Sequence, residues 1–137
     1  LDKYCRLTGR YHFQYIGQKP NTFLIENHTP AVDVSVLTSV LPTYDIYLTA
    51  SEEEAGANHV LEALASGLPV VYRNNGGSIV EYCEPYGSGY DNFKEMFVAI
   101  DEMILNYDTY KSKVLEYEDD IDKVVNKYYK IIEEVFK

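Results

Sequence analysis

A helix stop followed at once by an uninterrupted apolar strand lies near the middle of the chain, and few folds can accommodate it. Val60, Leu61, Leu64 and Ala65 recur at the spacing of one buried helical face over residues 58–66. Gly67 falls where the left-handed residue just past a helix belongs, and Pro69 blocks any continuation. Pro69-Val70-Val71-Tyr72 then reads as a strand without polar alternation. A strand that is apolar on both sides must be covered on both sides, as in a parallel sheet flanked by helices.

The neighbouring segments repeat the alternation. Residues 1–8 read as the last turns of a helix ending near Gly9, so the chain is expected to be a piece of a longer protein. Residues 11–16 are aromatic and β-branched and predict a strand ending at Gly17; residues 22–26 predict a second, and 27–30 a loop. Val36, Leu37, Val40 and Leu41 predict a short amphipathic helix before Pro42, and residues 45–49 a third strand. Asn74-Asn75-Gly76-Gly77 is a turn signal, Ser78 is placed to cap a short helix through Cys83, and residues 84–90 read as loop. The last third is helical. Phe93, Met96, Phe97, Ile100, Met103 and Ile104 form one stripe, and Ile121, Val124, Val125, Tyr128, Ile131, Ile132 and Val135 another. Both are expected to be core, separated by a solvated linker over residues 116–122. The fold class expected is α/β: a Rossmann-like, doubly wound parallel sheet, partial because its first strand is absent, with right-handed crossovers and C-terminal helices. All 137 residues are expected to form a single domain.

Charge and composition narrow the partners. Asp and Glu number 22 against 12 Lys and Arg, a formal net charge of −10. That field repels a phosphate backbone, so no nucleic-acid partner is expected. No apolar run approaches the roughly 20 residues of a membrane span, and no leader-like segment stands at Leu1. Cys5 and Cys83 offer neither a disulfide framework nor zinc spacing, which fits a cytoplasmic protein whose thiols are inert packing groups. No metal site is expected.

In open parallel sheets, ligands bind outside the carboxyl ends of the strands, where loops lead into helices. The loop after Thr49 reads Ala50-Ser51-Glu52-Glu53-Glu54-Ala55-Gly56-Ala57-Asn58-His59. Gly56 and Ala57 are small enough for a ligand to approach the backbone. The helix starting near Asn58 presents unpaired amides suited to phosphate. Glu54, before that helix, and Glu62, within it, would repel phosphate but accept hydrogen bonds from hydroxyls. A sugar phosphate presents both groups.

Together, Glu54-x7-Glu62, Ala63-Leu64-Ala65-Ser66-Gly67-Leu68-Pro69-Val70-Val71 and Gly76-Gly77 resemble the donor-binding region of GT-B fold glycosyltransferases, family 4-like. The preceding Tyr44-Asp45-Ile46-Tyr47-Leu48-Thr49-Ala50-Ser51 fits the same pattern, so the resemblance spans residues 42–81. It implies that Glu54 orients the donor sugar and Glu62 contacts the ribose. It implies that amides around Gly56, Ala57, Asn58 and His59 face the donor phosphate or sugar. It implies sugar transfer from a nucleotide-diphosphate sugar with retention, in glycan synthesis, without metal or other cofactor. The partners implied are the donor and an N-terminal acceptor-binding domain of the same protein, through which the whole could sit at a membrane surface. The isolated piece is then expected to bind nucleotide weakly and to transfer nothing. The chain departs from the common pattern in Ala55-Gly56-Ala57-Asn58-His59, where an aromatic usually stands between glycines, and in lacking the Arg/Lys pair that grips the diphosphate.

Arg73 is the one nearby cation by sequence and a candidate phosphate contact, and Gly76 and Gly77 are either cleft lining or a tight turn. His59 reads equally as a packed first-turn residue or a donor contact, while His12 and His28 read as structural. Two rival readings stand beside the transferase: a nucleotide-sugar epimerase of the same fold, and a non-catalytic nucleotide-binding or interaction module.

Overall fold

The computed structural model describes residues 1–118 and 121–135, which divide into two units, Leu1–Val40 and Leu41–Lys137. The chain is mixed α/β, with parallel strand pairing in both units.

In the first unit, helix α1 (Asp2–Thr8) ends at Gly9, whose φ of 62° is left-handed as its position implied. Strands β1 (Tyr15–Ile16) and β2 (His28–Thr29) pair in parallel, Tyr15 opposite His28 and Ile16 opposite Thr29. Two strand expectations are corrected here. The first strand is only two residues long, and the second lies at 28–29 rather than 22–26. Hydrogen bonds explain the shift. His28 Nε2 lies 2.7 Å from the Gly17 carbonyl, and the Gln14 amide donates to Thr29 Oγ1 at 2.9 Å. Phe23 and Leu24 are exposed, and Phe23 bonds only locally, its amide donating to the Pro20 carbonyl and its carbonyl accepting from Lys19 Nζ. His28 also packs against the Tyr15 ring, which is the structural role read for it. Helix α2 (Val34–Val40) closes the unit and buries none of its residues.

The second unit begins with a 3-10 turn, Leu41–Thr43, which Pro42 does not interrupt. Strand β3 (Tyr47–Leu48), helix α3 (Asn58–Ala65), strand β4 (Val70–Arg73), helix α4 (Ser78–Cys83) and strand β5 (Gly87–Tyr90) follow. The three strands form one parallel sheet in the order β3-β4-β5. Val70, Val71 and Tyr72 are all buried, so both faces of β4 are covered, as the apolar run demanded. Helices α3 and α4 touch β4 and each other. Of the face expected for α3, Val60 and Leu64 are buried with Ala63, while Ala65 is exposed. Gly67, at φ 76°, ends the helix region, and the Lys111 ammonium donates to its carbonyl at 2.6 Å.

Strand β5 overturns the loop expected over 84–90. Gly87 and Gly89 looked like turn residues, but both sit inside the ladder, Gly87 opposite Val70 and Gly89 opposite Tyr72. A Cβ at Gly87 would collide with the Val70 carbonyl, and one at Gly89 with the Asn74 side chain. At Gly87 the obstacle is the Val70 main chain, which leaves no room for a side chain, whereas at Gly89 it is the exposed Asn74 side chain, which can turn aside.

Helices α5 (Phe93–Leu105) and α6 (Tyr107–Leu115) complete the described core, α5 lying on β5 and β4. The Asn92 side chain caps α5, accepting from the Lys94 and Glu95 amides. Met96, Ala99, Ile100 and Met103 are the buried face of α5, and Phe93 and Ile104, expected in the core, are exposed. They flank that face, and Phe93 packs edge-on against Phe97 instead. Helix α7 (Ile121–Val135) departs further from expectation. Val125, Tyr128, Ile131, Ile132 and Val135 are exposed rather than core, because no described neighbour covers them. The side chains of Ile121 and Val124, and the linker residues Asp119 and Asp120, lie outside the described residues.

Each fully buried Val, Leu or Ile of the sheet layer contributes about 1.5–3 kcal/mol. Overpacking β5 against β4 opposes that gain. Gly87→Ala is expected to lower the unfolding free energy by about 1–3 kcal/mol, read as a lower urea midpoint; an unchanged midpoint would contradict the close approach of the two strands.

Candidate functional site

Backbone hydrogen bonds bring the loops after β3 and β4 together. Thr49 N–H donates to the Val71 carbonyl at 3.0 Å, Glu53 N–H to Asn75 at 2.9 Å and Glu54 N–H to Gly76 at 3.3 Å. In return, the Ser78 amide and hydroxyl both donate to the Glu54 carbonyl, each at 2.9 Å. Ser78 was expected to cap α4, but Gly77 holds the cap position and Ser78 is the first helical residue. The Glu54 carbonyl, pressed against that helix start, takes both of its donors. Parallel pairing thus extends past the strands to a single bridge between Glu54 and Gly77.

Gly77 makes the junction sterically feasible. Its φ is 68°, and a Cβ there would lie 2.6 Å from the Glu54 carbonyl oxygen and 2.9 Å from its nitrogen. Buried Gly76 is also confined, its would-be Cβ 3.0 Å from the Arg73 carbonyl. Glu53 takes a positive φ of 51°, uncommon for a residue with a side chain. The loop therefore holds a strained turn immediately before Glu54.

The side chains at the same edge form two groups. In the first, His59 Nε2 lies 3.1 Å from Glu54 Oε2, and the Tyr47 hydroxyl 3.1 Å from His59 Nδ1. The Tyr47 and His59 rings are 5.9 Å apart and tilted by 32°. Glu54 and His59 are each about one-third exposed. The hydrogen bond from His59 holds the Glu54 carboxyl below the ordinary glutamate value against the opposing effect of burial, with help from the Ser51 hydroxyl. In the second group, Arg73 Nη1 pairs with Glu52 at 2.7 Å, its Nε donates to Asn75 Oδ1 at 3.1 Å and its Nη2 to the Asp91 carbonyl at 3.2 Å. One guanidinium therefore ties together the segments that follow all three strands of the sheet. Beneath it, the buried Tyr90 hydroxyl donates to the Thr49 carbonyl at 2.9 Å.

Of the residues singled out by sequence, Glu54, His59, Gly76 and Gly77 are joined by direct hydrogen bonds or backbone pairing. Ala57 is buried, and Gly56 faces open space. No side chain caps α3, whose N-terminal flank is Ala57. Asn58 and Glu62, four residues apart, share the helix side away from Val60 and Leu64. Among the described residues the Glu62 carboxylate has no hydrogen-bonding partner. Arg73 is engaged by Glu52, Asn75 and Asp91. Sequence reasoning missed Tyr47, which stands 12 positions from His59, a separation with no periodic signature.

Both thiols are buried, and burial pushes Cys83 up to about 12 and Cys5 upward too, so neither is a nucleophile at neutral pH. Among the described residues, no three His, Cys, Asp or Glu side chains gather as a metal-ligand set, and no helix is long and apolar enough to cross a membrane. No protein-family model matches the chain, and no curated protein is significantly similar to it.

The junction yields two predictions. Gly77→Ala is expected to lose about 1–3 kcal/mol of stability by forcing a Cβ into the Glu54 backbone, whereas Gly56→Ala, which meets open space, stays within about 0.5 kcal/mol. Equal urea midpoints for the two variants would refute the steric reading. The second concerns pH. Glu54 stays ionised in the folded chain at pH values where the unfolded chain takes up a proton. Its contribution is fully present above the ordinary glutamate value and disappears as the pH falls through the lower, folded value. Glu54→Gln is therefore expected to be less stable than the parent at neutral pH, with the two converging under acid; parallel curves from denaturation at stepped pH would contradict it.

Proposed function

We propose that the chain is the donor-binding part of a GT-B fold glycosyltransferase, family 4-like, which moves a sugar with retention from a nucleotide-diphosphate sugar to an acceptor held by another domain. On this reading the three described strands belong to a larger, doubly wound Rossmann-like sheet. The Glu54 carboxylate accepts hydrogen bonds from donor-sugar hydroxyls and orients the ring. Glu62 accepts from the ribose. Main-chain amides of residues 56–59, at the start of α3, face the diphosphate and stabilise its charge as it leaves. Arg73 acts by holding the surrounding loops. The enzyme works in the cytoplasm.

The observation that carries this reading is the placement of Glu54. It is an ionised, one-third-exposed carboxylate at the carboxyl edge of a parallel sheet, its backbone locked to Gly77 and Ser78 and its side chain bonded to the first turn of α3. Ligands of open parallel sheets bind at that edge. The unpartnered Glu62 carboxylate, displayed on the same helix, agrees with a second hydroxyl contact.

The test is calorimetric titration of the longest natural form of the protein with uridine and guanosine diphosphate sugars, followed by assay of sugar release and product stereochemistry. At least one donor is expected to bind, and Glu54→Ala to lower transfer by about 100-fold. Unchanged turnover in Glu54→Ala would favour a non-catalytic module, and an epimerised nucleotide sugar as sole product would favour an epimerase.

A further inference from the structure

The donor reading assigns Glu54 to a sugar hydroxyl, yet one of its oxygens is already committed within the protein. His59 Nε2 lies 3.1 Å from Glu54 Oε2, and the far ring nitrogen, Nδ1, lies 3.1 Å from the Tyr47 hydroxyl. An ionised carboxylate only accepts hydrogen bonds, so Nε2 must carry a proton and donate. In a neutral ring Nδ1 is then an acceptor, and the phenol must donate to it. The three groups satisfy one another in a single direction, from phenol to imidazole to carboxylate. Tyr47 sits on β3 and His59 in the first turn of α3.

We propose that Tyr47 and His59 are positioning residues that fix the tautomer of the imidazole and the rotamer of Glu54, so that Oε2 is held by the protein and Oε1 is presented to a hydroxyl of the bound sugar. The inference rests on the donor reading of Glu54 and adds two residues to it. Neither side chain touches the ligand. His59 orients the carboxylate, and Tyr47 orients His59, in the manner of a hydrogen-bonded partner that fixes an imidazole from behind. The nucleotide is untouched by this chain of contacts, so its binding is independent of it.

Two measurements test the proposal. The first needs no ligand. Nitrogen-detected NMR of the three histidines, at about pH 8 where imidazole is ordinarily neutral, is expected to show His59 protonated at Nε2. Tyr47→Phe is expected to shift its Nδ1 signal, and Glu54→Gln its Nε2 signal. A ring protonated at Nδ1, or signals that ignore both substitutions, overturns the relay. The second is titration of the longest natural form with uridine and guanosine diphosphate sugars and with the corresponding nucleoside diphosphates. His59→Ala is expected to weaken nucleotide-sugar binding about tenfold and leave nucleoside diphosphate binding unchanged. Tyr47→Phe has a smaller effect of the same kind, and His59→Gln, which keeps a donor near Glu54, recovers part of the loss. Equal weakening of both ligand types means a merely structural role and overturns the positioning role. If the parent binds none of these nucleotide sugars, the donor reading falls and the positioning role with it, while the NMR result still decides whether the hydrogen-bond chain exists.

Discussion

The pairing of Glu54 with Gly77 and Ser78 is the contact on which the candidate site depends. Without it the loop after β3 would be a nine-residue excursion over the sheet edge with no fixed path. Each backbone hydrogen bond adds only about 1 kcal/mol net, but here several act on consecutive residues and leave the chain one route. The left-handed glycine makes the approach sterically feasible, and the Ser78 hydroxyl doubles the bond to the Glu54 carbonyl. The position of the carboxylate is thus a property of the sheet rather than of the loop.

Arg73 secures the same edge from the other side. Three of its nitrogens bind groups from three segments, so the charge does geometric work. Such forked donation is what guanidinium offers and an ammonium does not. The acidic run Glu52-Glu53-Glu54 is accordingly divided. Glu52 pairs with Arg73, Glu53 takes the strained turn, and Glu54 meets His59. Three adjacent carboxylates that would otherwise repel one another are each given a different environment.

Much of this was legible in the sequence. The helix stop at Gly67 and the apolar run through Tyr72 identified β4 and the parallel sheet, because burial on both faces leaves no alternative pattern. The loop after β3 was legible as the candidate site from the same parallel pattern, since ligands of such sheets bind at their carboxyl edges. What failed did so on identifiable grounds. Gly87 and Gly89 signal turns when read alone, and only the nearness of Val70 and Asn74 shows that they belong to a strand. The strand at 28–29 is made by main-chain bonds from Tyr15 to Asn27 and from Gly17 to Thr29, which no local propensity encodes. The stripe on α7 has the period of a core helix, but period marks an apolar face without saying what lies against it. The chain Tyr47–His59–Glu54 joins a strand, a helix and a loop, and its spacing repeats nothing.

The first unit invites one more consequence. Among its forty described residues, Asp2 and Cys5 alone are buried, and its two strands share only two residue pairs. A stretch with so little interior has scarcely any hydrophobic surplus to set against the entropy of ordering its backbone. Its amides are therefore expected to exchange with solvent at free energies far below that of global unfolding. That unit opens before the buried sheet β3-β4-β5, at whose edge Glu54 is held.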